Sequence, residues 1–130
     1  MDDRPVFDAA KFKTTTRAQW QAAAEAWHRW GPFLGEWLGP ATEQMLDLAH
    51  IKEGSRVLDI AAGAGEQSLA AARRVGPTGH VLATDIAAKM LKIAAEAALQ
   101  AGLCNVTTQV MDARQLDVEA EPFDAAISRL

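Results

Sequence analysis

Residues 57–66 read Val57-Leu58-Asp59-Ile60-Ala61-Ala62-Gly63-Ala64-Gly65-Glu66, an apolar run that passes into a turn of small residues and opens a helix. The run predicts a strand from Arg56 to Ala61 covered on both faces, as in a parallel sheet. Alanine and glycine in the turn let the backbone approach a ligand closely, and glycine takes the positive φ that a tight turn needs. The start of the next helix adds N–H groups with no partner inside it. Together these features are the layout of a nucleotide site.

Outward from this stretch, short β-rich runs alternate with helical ones, the pattern of an α/β fold with a parallel sheet. A helix over about 66–75 stops at Gly76-Pro77-Thr78-Gly79, and His80 to Asp85 is the second strand. The helix over about 87–101 places Met90, Ile93, Ala94 and Ala97 on one stripe and closes at Gly102. Val106 to Met111 is the third strand. A polar segment over 112–122 then leads to a fourth, from Phe123 to about Arg129.

Upstream, a helix from Arg17 to about Trp30 carries Trp20, Trp27 and Trp30 on one face, where they either line an aromatic pocket or bind the helix to the sheet. Gly31-Pro32 breaks it, and Gly39-Pro40 precedes a second helix from about Ala41 to His50. Residues 1–16, with Thr14-Thr15-Thr16, read as an irregular arm. The expected division is an arm and helical cap over 1–50, followed by a sheet domain over 51–130.

Bulk properties narrow the function. The 130 residues suit one ordinary domain, and an apolar content of 49% can bury a core. Thirteen Lys and Arg against 17 Asp and Glu give a net charge of -4, without the basic footprint that nucleic acid demands. The polar, acidic opening over residues 1–4 and the absence of a long apolar run predict a cytoplasmic chain with no membrane span. Cys104, the single cysteine, excludes an internal disulfide and a cysteine-based zinc site, so no metal is expected.

Asp85 ends the second strand twenty residues after Gly65, where a carboxylate can accept from both hydroxyls of a ribose. Asp112 follows the third strand. With Asp59, three carboxylates meet at the carboxyl edge of the sheet, where open α/β folds bind ligands. Two ligands suit the layout. Gly63-Ala64-Gly65-Glu66-Gln67-Ser68 approximates a dinucleotide fingerprint, with Ser68 where a third glycine or alanine is expected. Against a dinucleotide, Asp59 would stand near the pyrophosphate and repel it. S-adenosylmethionine carries no phosphate, and its ammonium and sulfonium favour an anionic pocket.

Four ordered segments resemble the class I S-adenosylmethionine-dependent methyltransferases, in particular the ubiquinone and menaquinone C-methyltransferase group. VLDIAAGAGEQS resembles the first motif, VLATDIAAKML the segment of the ribose acid, VMDARQL the adenine segment and PFDAAISRL the fourth strand. The resemblance runs from about Trp20 to the last residue. It implies a Rossmann-like sheet in the order 3-2-1-4 and in-line methyl transfer from S-adenosyl-L-methionine to a small-molecule acceptor. Asp59 and the Ala61, Ala62, Gly63 and Gly65 backbone would hold the methionine end, and Asp85 the ribose. Ile86 would pack on the adenine face, Asp112 and Ala113 would contact its edge, and Ser128 and Arg129 would lie beside the methyl donor.

Ala61 stands where the family often has glycine, and the strands expected after the fourth are absent from this sequence. The fourth strand would therefore be an edge, so a homodimer through it or a shortened product is expected. In-line transfer requires alignment and exclusion of water more than a catalytic triad. His28, on the tryptophan helix, is the candidate base. Two other functions remain open: a cofactor-binding or assembly module without turnover, and an NAD(P)-binding oxidoreductase fragment.

Overall fold

The computed structural model describes residues 5–118 and 122–129. The acidic opening at 1–4 and part of the polar segment before the fourth strand lie outside the described residues. Two helices come first, α1 (Ala9–Arg29) and α2 (Gly31–Leu48), followed by β1 (Arg56–Ile60), α3 (Glu66–Val75), β2 (His80–Asp85), α4 (Ala88–Gln100), β3 (Val106–Val110) and β4 (Ala125–Ile127). The four strands form one sheet in the order β3-β2-β1-β4, and every pairing is parallel. This is the Rossmann-like order that the sequence implied.

Register aligns Val57 of β1 with Val81 of β2, Val81 with Val106 of β3, and Val57 with Ala125 of β4. Side chains alternate faces along a strand, so these residues share one side of the sheet. There Val57, Val81 and Ile127 pack against Ala71, Ala72 and Val75 of α3 and Leu46 of α2, forming the main core. A smaller cluster joins Ala24 of α1 to Ala87 and Met90, with Trp27, Ala64 and Ile93 against it. It seats α1 on α4 and on the turn after β1. Gln21 of α1 strengthens this docking by accepting from the Lys89 N–H at 2.8 Å, because the α4 cap residue, Ala87, offers no side-chain bond.

Three local expectations need correction. Helix α1 begins at Ala9, so the arm is helical over most of its length. Asp8 caps it, accepting from the Lys11 N–H at 2.9 Å, and Thr14 returns its hydroxyl to the Ala10 carbonyl at 3.0 Å. Helix α2 begins at Gly31 and runs through Pro40. Pro32 occupies the first turn, where a missing N–H costs nothing, while Pro40 lies on an exposed turn where the carbonyl it leaves unpaired faces water. Trp30 caps α1 at 59% exposure and packs on Phe33, so it leaves the face that Trp20 and Trp27 share.

Candidate functional site

The turn after β1 is held by β2. The Ala62 N–H donates to the Thr84 carbonyl at 2.8 Å, and the Thr84 hydroxyl donates to the Asp59 carbonyl at 3.1 Å. Ala61, Gly63 and Gly65 all have positive φ, at 57°, 58° and 91°. A Cβ on Gly63 would meet nothing within 4 Å, whereas one on Gly65 would lie 2.5 Å from the Ala94 Cβ. Gly63 therefore faces open space, and Gly65 is required for α3 to approach α4. Ala61 accepts a left-handed backbone that costs a non-glycine residue about 1–2 kcal/mol.

Asp85 ends β2 at 8% exposure. One carboxylate oxygen accepts from the Gly63 N–H at 2.9 Å and the other from the Ala87 N–H at 2.8 Å. Each oxygen keeps a lone pair for a ligand. Asp85 thus fixes the glycine turn against the start of α4 and presents charge to the space between them.

Asp59 sits elsewhere. It is fully buried in β1, where Ser68 of α3 donates to its carboxylate and the Gln67 amide approaches at 3.4 Å while also donating to the Ala62 carbonyl at 3.0 Å. Burial pushes its pKa up to about 7, against the lowering pull of the Ser68 and Gln67 hydrogen bonds. Asp59 lies beneath the floor of the site, and its hydrogen bonds position α3 and the turn. The expected repulsion of a pyrophosphate by Asp59 thus lacks a facing carboxylate. Ser68, which looked like a departure from a dinucleotide motif, is its partner; a polar residue on the sheet side of α3 was the signal for it.

A cavity of about 900 Å³ opens at the carboxyl ends of the strands. Its floor is Ala61, Ala62, Gly63, Gly65 and Asp85; Ile86, Met111, Asp112 and Ala113 form one wall; Met90, Ile93 and Ala97 come from α4. Trp20, Trp27 and His28 of α1 roof it, and Arg129 enters from the end of β4. Ser128 instead donates to the Ile60 carbonyl at 2.8 Å and, like Asp59, is absent from the lining.

Asp112 is already engaged. Its carboxylate meets Lys13 of α1 at 2.7 Å and accepts from the Arg114 side chain at 3.1 and 3.3 Å and from the Arg114 N–H at 2.9 Å. The hydrogen bonds from Arg114 and then Lys13 hold it well below the usual carboxylate range. Asp112 thereby ties the first half of α1 over the site, a role that sequence spacing could not reveal.

Residues 57–130 match a family model described as a methyltransferase domain, and the chain belongs to that family. A ubiquinone/menaquinone biosynthesis C-methyltransferase of Pseudomonas aeruginosa is 40% identical over 80 residues, which are 61% of this chain and 31% of that protein. An S-adenosylmethionine-dependent methyltransferase from Aquifex aeolicus superposes with a TM-score of 0.53 at 32% identity, over 58% of this chain and 40% of its own. A Methanococcus maripaludis structure assigned to the same enzymes covers 99% of this chain and 53% of its own, with a TM-score of 0.71 at 20% identity, a likeness of fold. The chain thus spans about a third of the length of that Pseudomonas relative. Nothing in these likenesses supports the oxidoreductase alternative.

Proposed function

We propose that this chain is the cofactor-binding part of a methyltransferase acting on a small molecule, with S-adenosyl-L-methionine lying along the strand-end cavity. The observation that carries this reading is Asp85, a nearly buried carboxylate whose two oxygens are oriented by the turn and by α4 and whose remaining lone pairs suit a ribose diol. The rest of the cavity fits the cofactor. Gly63 leaves room for close backbone approach, Ile86 offers an apolar wall for a base, and the small residues at 61–65 suit the methionine end. Ala113, on the same wall, is the proposed contact for the adenine edge. The cofactor supplies an electrophilic methyl group on a sulfonium, which needs no acid or metal to leave.

The protein's part is alignment and dryness. Trp20 and Trp27 pack with their rings tilted by 53° and centroids 6.0 Å apart, and shield the cavity from water. Asp59, Ser68 and Gln67 hold the floor rigid from below, and Ser128 pins the end of β4 to β1. His28, at the rim, is the candidate to take a proton from the acceptor.

Equilibrium dialysis against labelled S-adenosylmethionine tests the reading. One equivalent retained by the wild type, with weaker retention by Asp85→Ala, is expected, and no retention by the folded chain would overturn it. The outer edge of β4 is unpaired among the described residues, and beside it Leu48 is 74% exposed, which supports a homodimer through that edge. Among the described residues no helix is long and apolar enough to cross a membrane, and the proposed site of action is the cytoplasm.

A further inference from the structure

The charged groups of the cavity are unevenly placed, with Asp112 compensated by Lys13 and Arg114 at one end and Glu66 beside Arg129 at the other. Asp85 and Asp112 stand at the ends of β2 and β3. Lys13 touches Asp112, and α1 rises about 1.5 Å per residue, so its last turn lies about 23 Å further along. That turn brings His28 and Arg29 to the cavity wall, and Arg129 joins them from β4, the far edge of the sheet from β3. One acid, Glu66, sits at this end, 3.2 Å from Arg129.

Arg129 is not used up by its neighbours. Its terminal nitrogens donate to the Thr42 hydroxyl at 2.9 Å and to Glu66, while its buried Nε has no partner among the described residues. A guanidinium carries five N–H groups, so with the buried Nε–H set aside one remains on each terminal nitrogen. On the cofactor reading given above, a positive sulfonium would face this basic end. An anion placed between them is attracted by both, while a cation is repelled by both. The walls there, Trp27, Pro32 and Leu34, are apolar.

We propose that this end of the cavity takes an apolar acceptor bearing an ionised carboxylate, and that Arg129, with Arg29 at the rim, determines that specificity. The inference rests on the cofactor reading only for where the methyl donor lies. To test it, 2-naphthoate and its neutral counterpart 2-naphthamide are titrated into the full chain, with and without S-adenosylhomocysteine, following tryptophan fluorescence. Naphthoate should bind about tenfold more tightly than the amide, as for a charge-assisted contact. The preference should vanish in Arg129→Gln and shrink in Arg29→Gln, an exposed position that keeps the test open should the first variant fail to fold. Equal affinities, no binding of either probe, or a preference intact in both folded variants would overturn the proposal. A carboxylate preference without any S-adenosylhomocysteine binding would support the anion site and count against the cofactor reading alone.

Discussion

Asp85 and Asp59 are carboxylates on neighbouring strands, yet one faces the cavity and the other is sealed below it. Asp85→Ala should weaken S-adenosylhomocysteine binding by about 1–3 kcal/mol, the value of hydrogen bonds to a charged group. Calorimetry on the variant checks this, and an unchanged affinity would remove the ribose role. Asp59 should be visible in stability instead. Its carboxyl ionises at 3.8 when unconstrained and near 7 in the fold, so its contribution is full below pH 3.8 and is lost as pH rises to about 7. Relative to Asp59→Asn, the wild type should therefore lose stability across that window in urea denaturation. Ala61→Gly relieves a left-handed alanine and should stabilise the chain by up to about 1 kcal/mol, since glycine's greater unfolded freedom offsets part of the gain. Sequence spacing put Asp59 and Asp85 at strand ends, while Ala61 was marked by the small-residue turn. It gave strand ends but not depth, which is why Asp59 was expected on the wall and Ser68 was not expected at all.

At the level of elements, the glycine turn depends on how closely α3 can approach α4. Gly65→Ala would force a Cβ to within 2.5 Å of the Ala94 Cβ and 2.9 Å of its Cα, at a φ of 91°. The expected loss is about 2–5 kcal/mol from overpacking plus backbone strain, read by thermal or denaturant unfolding. Lys13→Ala should free the start of α1 from Asp112 and speed amide exchange over its first turns while the sheet stays protected. Strands β1 and β2 were readable because buried parallel strands leave continuous apolar runs, whereas β3 is half polar and the order of the strands came from the family resemblance. The helices were harder. Three threonines weaken helix propensity and disguised the start of α1, although Asp8 stood at its cap; Gly39-Pro40 looked like a boundary, but its exposed turn lets α2 continue.

At the scale of the molecule, the parallel strands among the described residues carry the cavity floor at their carboxyl ends, and α1 roofs it. The chain covers 31% of the Pseudomonas relative's length, and cofactor binding and turnover call for separate measurements. Pairing through the open β4 edge should appear as a concentration-dependent mass in light scattering, and a constant monomer mass would argue against the dimer. The most direct measurement is calorimetric titration of the purified chain with S-adenosylhomocysteine, with NADH as the control ligand. Saturable binding of the first near one equivalent, with none of the second, is the expected result. A folded sample that binds NADH, or neither ligand, would contradict a methyl-donor site at the strand ends.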